Sequence, residues 1–145
     1  MPVVELREVV DADVAVFYAH QADQAASRLA GVPSRSREAH DGHWARIRAN
    51  PEVVIRTVLV DGAVAGQVLS FPRDGLRELG YWIDREQWGR GVAGTAVAAF
   101  LPLVPERPLH AVVTDHNVAS RRVLERLGFA LVGVREPDAL LLRLD

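Results

Sequence analysis

The stretch Gly80-Tyr81-Trp82-Ile83-Asp84-Arg85-Glu86-Gln87-Trp88-Gly89-Arg90-Gly91-Val92-Ala93-Gly94-Thr95 is an apolar strand that breaks into a glycine-rich turn and then a helix of small residues. Glycines leave backbone amides uncovered and allow positive φ. The first turn of a helix adds unpaired N–H groups and the positive end of a dipole. Together these suit an anion, and a pyrophosphate is the anion expected.

Two familiar phosphate loops fit poorly. The nucleoside-triphosphatase loop needs a lysine after its second glycine, and all 17 basic residues of this chain are arginines. The dinucleotide fingerprint G-x-G-x-x-G is present at Gly89, Gly91 and Gly94, but it belongs directly after a strand early in a βαβ unit. Here Asp84 to Trp88 intervene, much of the chain precedes the motif, and Glu106, the acid at roughly the right distance, lies in a proline-rich turn.

A third pattern accounts for more of the chain. Trp88-Gly89-Arg90-Gly91-Val92-Ala93 resembles the Q/R-x-x-G-x-G/A acetyl-CoA loop of the GCN5-related N-acetyltransferases (GNAT), in the W-G-R-G-x-A form of the ribosomal-protein N-terminal acetyltransferase-like branch. Trp88 stands where Gln or Arg is usual. Asn117-Val118-Ala119-Ser120-Arg121-Arg122-Val123-Leu124-Glu125-Arg126-Leu127-Gly128-Phe129 resembles the second signature, N-x-x-(A/S)-x-x-(V/L)-x-E-(K/R)-L-G-F.

The resemblance implies a single α/β domain over residues 1–145. Its mixed sheet would have about seven strands, splayed between the fourth and fifth, with about four helices. It also implies acetyl-CoA as cosubstrate, lying in that gap. The activity implied is transfer of an acetyl group to a primary amine by direct attack in a ternary complex. The acceptor would be a small molecule or a protein N-terminus, and homodimers, common in such families, are expected.

Acyl transfer to an amine asks for a base, because an alkylammonium with a pKa of about 10.4 is not a nucleophile at neutral pH. It also asks for donors to the oxyanion and to the leaving thiolate. Glu78 is the expected base: strand alternation puts Glu78, Gly80 and Trp82 on one face, with the glycine leaving space beside the carboxylate. Many family members carry Tyr in the second motif helix where this chain has Leu124, so the proton donor assigned by resemblance is Ser120. Amides near Trp82 and Ile83 are the expected oxyanion donors. The pyrophosphate falls to Trp88, Gly89, Arg90, Gly91, Val92, Ala93 and Gly94, with a hydroxyl from Thr95. Asn117 is assigned to the pantetheine or thioester, and Arg90, Arg121 or Arg122 to the 3′-phosphate. Two other readings stay open: a non-catalytic CoA-binding module, suggested by the missing tyrosine, and a nicotinamide-dependent oxidoreductase.

The elements that must position these groups are readable in part. Val4, Leu6 and Val9 mark a first strand, and Asp11-Ala12-Asp13 offers a cap for a helix striped by Val14, Phe17 and Tyr18 and running to about Gln24. Ala25 to Asp41, with Gly31 and Pro33, has no clear period and reads as a mobile loop. His43, Trp44 and Ile47 restore helical spacing up to Asn50-Pro51. Val53–Val60 and Ala63–Phe71 form a hairpin on Asp61-Gly62, Pro72 closes the second run, and Asp74-Gly75 leads to a fourth strand, 77–83. The next helix should face the sheet with Val92, Ala96, Ala99 and Leu103. A fifth strand, 108–113, an Asn117-capped helix with Val123, Leu124 and Leu127 inward, and two closing strands, 129–134 and 139–144, complete the chain, with a turn at 136–139.

Composition excludes several classes. There is no cysteine, hence no disulfide, thiolate metal site or cysteine nucleophile. A net charge of -2 gives no field for nucleic acid. No run approaches the roughly 18 apolar residues of a membrane span, and the stretch Met1-Pro2-Val3-Val4-Glu5 shows no basic region followed by a long apolar run, so the chain reads as cytoplasmic. His20, His40 and His43 lack a further ligand at metal-motif spacing, so no metal is expected.

Overall fold

The computed structural model describes residues 2–31, 34–135 and 137–145. Strands and helices follow in the order β1 (Val4–Arg7), α1 (Asp11–Gln21), α2 (Gln24–Ala30), α3 (Arg37–Ala49), β2 (Val54–Val60), β3 (Ala63–Arg73), β4 (Leu76–Ile83), α4 (Val92–Phe100), β5 (Leu109–Thr114), α5 (Val118–Arg126), β6 (Ala130–Arg135) and β7 (Ala139–Leu144). The seven strands form one sheet in the order β1-β2-β3-β4-β5-β7-β6, antiparallel except where β4 meets β5. This is the expected single α/β domain, with five α-helices in place of about four. No helix among the described residues is long and apolar enough to cross a membrane.

The hairpins follow from local chemistry. Asp61 and Gly62 both take positive φ, as do Asp74 and Gly75, which is the two-residue turn whose twist matches flanking strands. β3 runs through Pro72, which pairs with Arg77; β2 reaches only Ser70, so the missing proline N–H leaves no broken ladder there.

Helices cover both faces. On one, Val92, Ala96, Val97 and Phe100 of α4 and Leu124 of α5 pack on Val58, Val68, Leu79, Leu109, Ala111 and Leu142. The buried face of α4 therefore differs from the expected one: Ala99 and Leu103 are exposed, because positions 92, 96, 97 and 100 form the stripe that meets the sheet. On the other face Phe17 of α1 and Trp44 of α3, ring centroids 4.8 Å apart, pack on Ile55 and Leu69.

In the N-terminal third one expectation is refined and one fails. The cap expected from Asp11-Ala12-Asp13 comes from its third residue: the helix starts at Asp11, and Asp13 accepts a hydrogen bond from the Val10 amide. Asp13 is buried and also bonds Arg7 and Thr57 (2.6 and 2.7 Å). Burial alone would raise its pKa, but the hydrogen bonds from Arg7, Val10 and Thr57 outweigh that and hold it below the ordinary carboxylate value. The supposed loop at 25–41 is mostly helical: α2, capped by Asp23, and the start of α3, capped by Ser36. Thr114 Oγ1 and His116 Nε2 donate to the Leu29 and Arg28 carbonyls (2.9 and 3.1 Å), so partners from the far side of the sequence hold the end of α2. Pro33, and Glu136 of the expected 136–139 turn, lie outside the described residues.

Candidate active site

β4 and β5 pair over only three residues each, Arg77–Leu79 with Leu109–Ala111. Beyond Leu79 they part, while β4 stays paired to β3 as far as Ile83. The Asp84 amide donates to Ala65 on β3 (2.7 Å), so by antiparallel alternation the amides of Tyr81 and Ile83 point the other way, into the gap. The Trp82 amide, expected among the oxyanion donors, turns to β3. Trp82 still lines the cleft.

The cleft that runs through this gap encloses about 450 Å³ and reaches from Ala26 and Leu29 of α2 to Ser120 and Val123 of α5. The glycine turn closes one end. Gly89 and Gly91 take φ of +78° and +75°, and no atom lies within 4 Å of where a Cβ would stand at either, so a side chain there would enter open space beside the turn. Gly91 is also the N-cap of α4, whose first amides no side chain caps. A phosphate fits these residues: positive-φ glycines, free amides and an open concave turn. Trp88 donates its indole Nε1–H to the Ile83 carbonyl (2.9 Å) and so pins the turn to the end of β4.

The structure gathers most of the residues singled out from sequence. Trp82, Ile83, Trp88, Gly89, Gly91 and Val92 line the cleft, and so do Ala93, Gly94, Asn117, Ser120 and Arg122. Glu78, Arg90, Thr95 and Arg121 do not. Arg90 bonds Gln87, Arg121 pairs with Glu125 at 3.4 Å, and the Thr95 hydroxyl bonds back to the Gly91 carbonyl at 3.0 Å. Asn117 caps α5 by accepting from the Ser120 amide (3.2 Å).

Glu78 lies one residue before the last β4–β5 pair, in register with His110 and on the α1–α3 face. It is 2% exposed. Its Oε2 accepts from Arg73 Nε (3.1 Å) and Arg135 (2.9 Å), neither of which is a sequence neighbour, and Oε1 makes no hydrogen bond to a described residue. Among the described residues no group of three or more His, Cys, Asp or Glu converges as a metal site.

One group escaped the sequence reading. Tyr81, on the opposite face of β4 from Glu78, lines the cleft and hydrogen-bonds the Ser120 hydroxyl. Burial pushes its pKa up. The signal was the same alternation that singled out Glu78, followed onto the other face of the strand.

Comparison with known proteins agrees with this architecture. No curated protein matches the chain. Solved structures do: an acetyltransferase from Agrobacterium tumefaciens is 21% identical, with 100% of this chain and 94% of that one covered at a TM-score of 0.83. Mycobacterium smegmatis RimJ, solved with CoA-disulfide, is 25% identical over 99% and 85% of the two chains, TM-score 0.77. A spermidine N-acetyltransferase from Vibrio cholerae, solved with CoA and spermine, is 14% identical over 97% and 92%, TM-score 0.82. Residues 4–130 match the family model described as the acetyltransferase (GNAT) domain, and across that span the chain belongs to the GNAT acetyltransferase family.

Proposed function

We propose that the protein is an acetyl-CoA-dependent N-acetyltransferase, one domain over residues 1–145, of the ribosomal-protein N-terminal acetyltransferase-like branch. The observation that carries this reading is the gap between β4 and β5, with the glycine turn at its open end and Glu78 buried on the α1–α3 face where the two strands rejoin. Bound acetyl-CoA supplies an acetyl group activated as a thioester. The chain's own residues do the rest. Amides of Gly89 to Gly94 hold the pyrophosphate, Arg122 is placed for the 3′-phosphate, and the Tyr81 and Ile83 amides face the extended arm as a neighbouring strand would. Glu78 takes the proton of the incoming ammonium through Oε1, directly or through a water, while Arg73 and Arg135 hold the carboxylate in place. The W-G-R-G-x-A loop and the likeness to a RimJ support the branch.

For the acceptor a small amine is favoured over the basic start of a ribosomal protein. The Glu78 carboxylate is flanked by two guanidinium groups, a setting that repels a polycationic segment.

Thermal melting with acetyl-CoA, desulfo-CoA and NADH, each at about a hundred times Kd, tests the reading, since a true ligand adds about 2.7 kcal/mol there. Both CoA compounds should raise Tm by several degrees and NADH should not. An amine panel read by free-thiol release follows. A shift with NADH alone overturns the reading; CoA binding without turnover of any amine leaves a binding module.

A further inference from the structure

Ser120 is the third residue of α5, a position where a serine hydroxyl commonly caps amides or bonds back to a carbonyl of the preceding turn. Thr95 in α4 does the latter. Ser120 does neither among the described residues: Asn117 performs the capping, and the Ser120 hydroxyl is held by the Tyr81 phenol, which reaches across from β4. The phenol oxygen also lies 3.5 Å from the Ser120 carbonyl, at the limit of a hydrogen bond. Two proton arrangements are therefore open to the pair. In one, Ser120 donates to Tyr81 and Tyr81 to the carbonyl. In the other, Tyr81 donates to Ser120 and the serine O–H is free to turn into the cleft.

We propose that Tyr81 is a positioning residue that orients the Ser120 hydroxyl as a hydrogen-bond donor to the leaving sulfur. The proposal rests on the acetyltransferase reading above and adds to it the route by which the thiolate is stabilised. An anionic acceptor in the cleft selects the second arrangement, because only there does a hydroxyl hydrogen face it. The amine nitrogen bonds to the acetyl carbon, the C–S bond breaks, and its electron pair leaves on sulfur. The proton lost by the nitrogen passes to Glu78 or water, and the sulfur, bonded by Ser120, is protonated from solvent on release. Burial keeps the phenol neutral, hence a donor, at neutral pH.

The test uses Tyr81→Phe, which removes one oxygen, and Ser120→Ala, which removes its partner. The pKa of the CoA thiol in the complex, followed by thiolate ultraviolet absorbance across pH, reads the donor without catalysis. Wild-type protein should hold the bound thiol about one pH unit lower than either variant does, equivalent to a tenfold preference for thiolate. kcat should fall about tenfold in each variant and no further in the double variant, because the two groups act as one unit. Desulfo-CoA should bind all three proteins within twofold of one another. Equal thiol pKa values in wild type and variants overturn the proposal, as does a weakened desulfo-CoA affinity, which marks a structural role. Failure of wild-type protein to bind desulfo-CoA at all overturns instead the reading of the glycine turn. If Tyr81→Phe does not fold, Ser120→Ala carries the same comparison.

Discussion

The two faces of the sheet solve different problems with different materials. The α4–α5 face and its turn present backbone: Gly89, Gly91 and Gly94 carry no side chain, Ala93 and Ala96 are small, and the residues packed behind them are aliphatic. The α1–α3 face works through side chains, with Asp13, Thr57 and Glu78 all buried and each bonded to a group distant in sequence. A site built from backbone needs particular residue types at fixed spacing and leaves a motif. A site built from long-range side-chain contacts leaves none.

Gly91→Val should have the largest effect and act on the first face alone. A β-branched residue at positive φ strains the turn by about 1–2 kcal/mol and covers the cradle. Calorimetry should show acetyl-CoA affinity down more than a hundredfold in a protein that still melts cooperatively. Affinity within tenfold of wild type would break the assignment of that face to the cofactor.

Glu78→Gln reports on the other side of the gap. kcat should drop about a hundredfold with acetyl-CoA affinity unchanged. Undiminished turnover across pH 6 to 9 removes Glu78 as base and leaves it a structural anchor for Arg73 and Arg135.

Asp13→Asn should sharpen the contrast by lowering stability without touching the cofactor. It weakens the charged hydrogen bonds from Arg7 and Thr57, at about 2 kcal/mol by urea titration at pH 7, with CoA affinity intact. The folded pKa of Asp13 is depressed, so its contribution is present above the unfolded pKa and is lost as pH falls through the folded one. The gap between wild type and variant should therefore close below about pH 4.

A milder acid effect belongs to the same face. His20, His40 and His43 all have pKa values lowered, first by burial. The unfolded chain then binds protons before the folded one does, so stability declines as pH drops through about 6.5. Hydrogen exchange between pH 7 and 5 should show α1 and α3 losing protection before α4 and α5; simultaneous loss would mean that the two faces open as one unit.

Trp88→Phe should be smallest. It deletes the indole bond to the Ile83 carbonyl, at about 1 kcal/mol, and loosens the turn. Acetyl-CoA affinity should fall a fewfold at most.

Read from sequence alone, the second half of the chain was nearly complete. The hairpins at Asp61-Gly62 and Asp74-Gly75, the glycine turn, the Asn117 cap and Gly128 at positive φ after α5 depend on neighbours within four residues, so the sequence carries them directly. The family likeness located the gap before any contact was known. The expectations that failed in the N-terminal third lay where the deciding partner is remote. α2 looked like a loop because its carbonyls are held by Thr114 and His116, more than 80 residues away. Asp13 reads from sequence as part of a helix cap, and its bonds to Arg7 and Thr57 are not legible there. Glu78 was singled out by alternation on its strand, yet its anchors Arg73 and Arg135 were not. The role of Tyr81 is not legible in the sequence because its partner Ser120 stands on a distant helix. Sequence by itself determined the turns, caps and the backbone cradle, which are short-range and stereochemical. Only the tertiary structure decided which buried polar groups meet, because burying such a group costs least where the fold delivers a hydrogen-bonding partner to it.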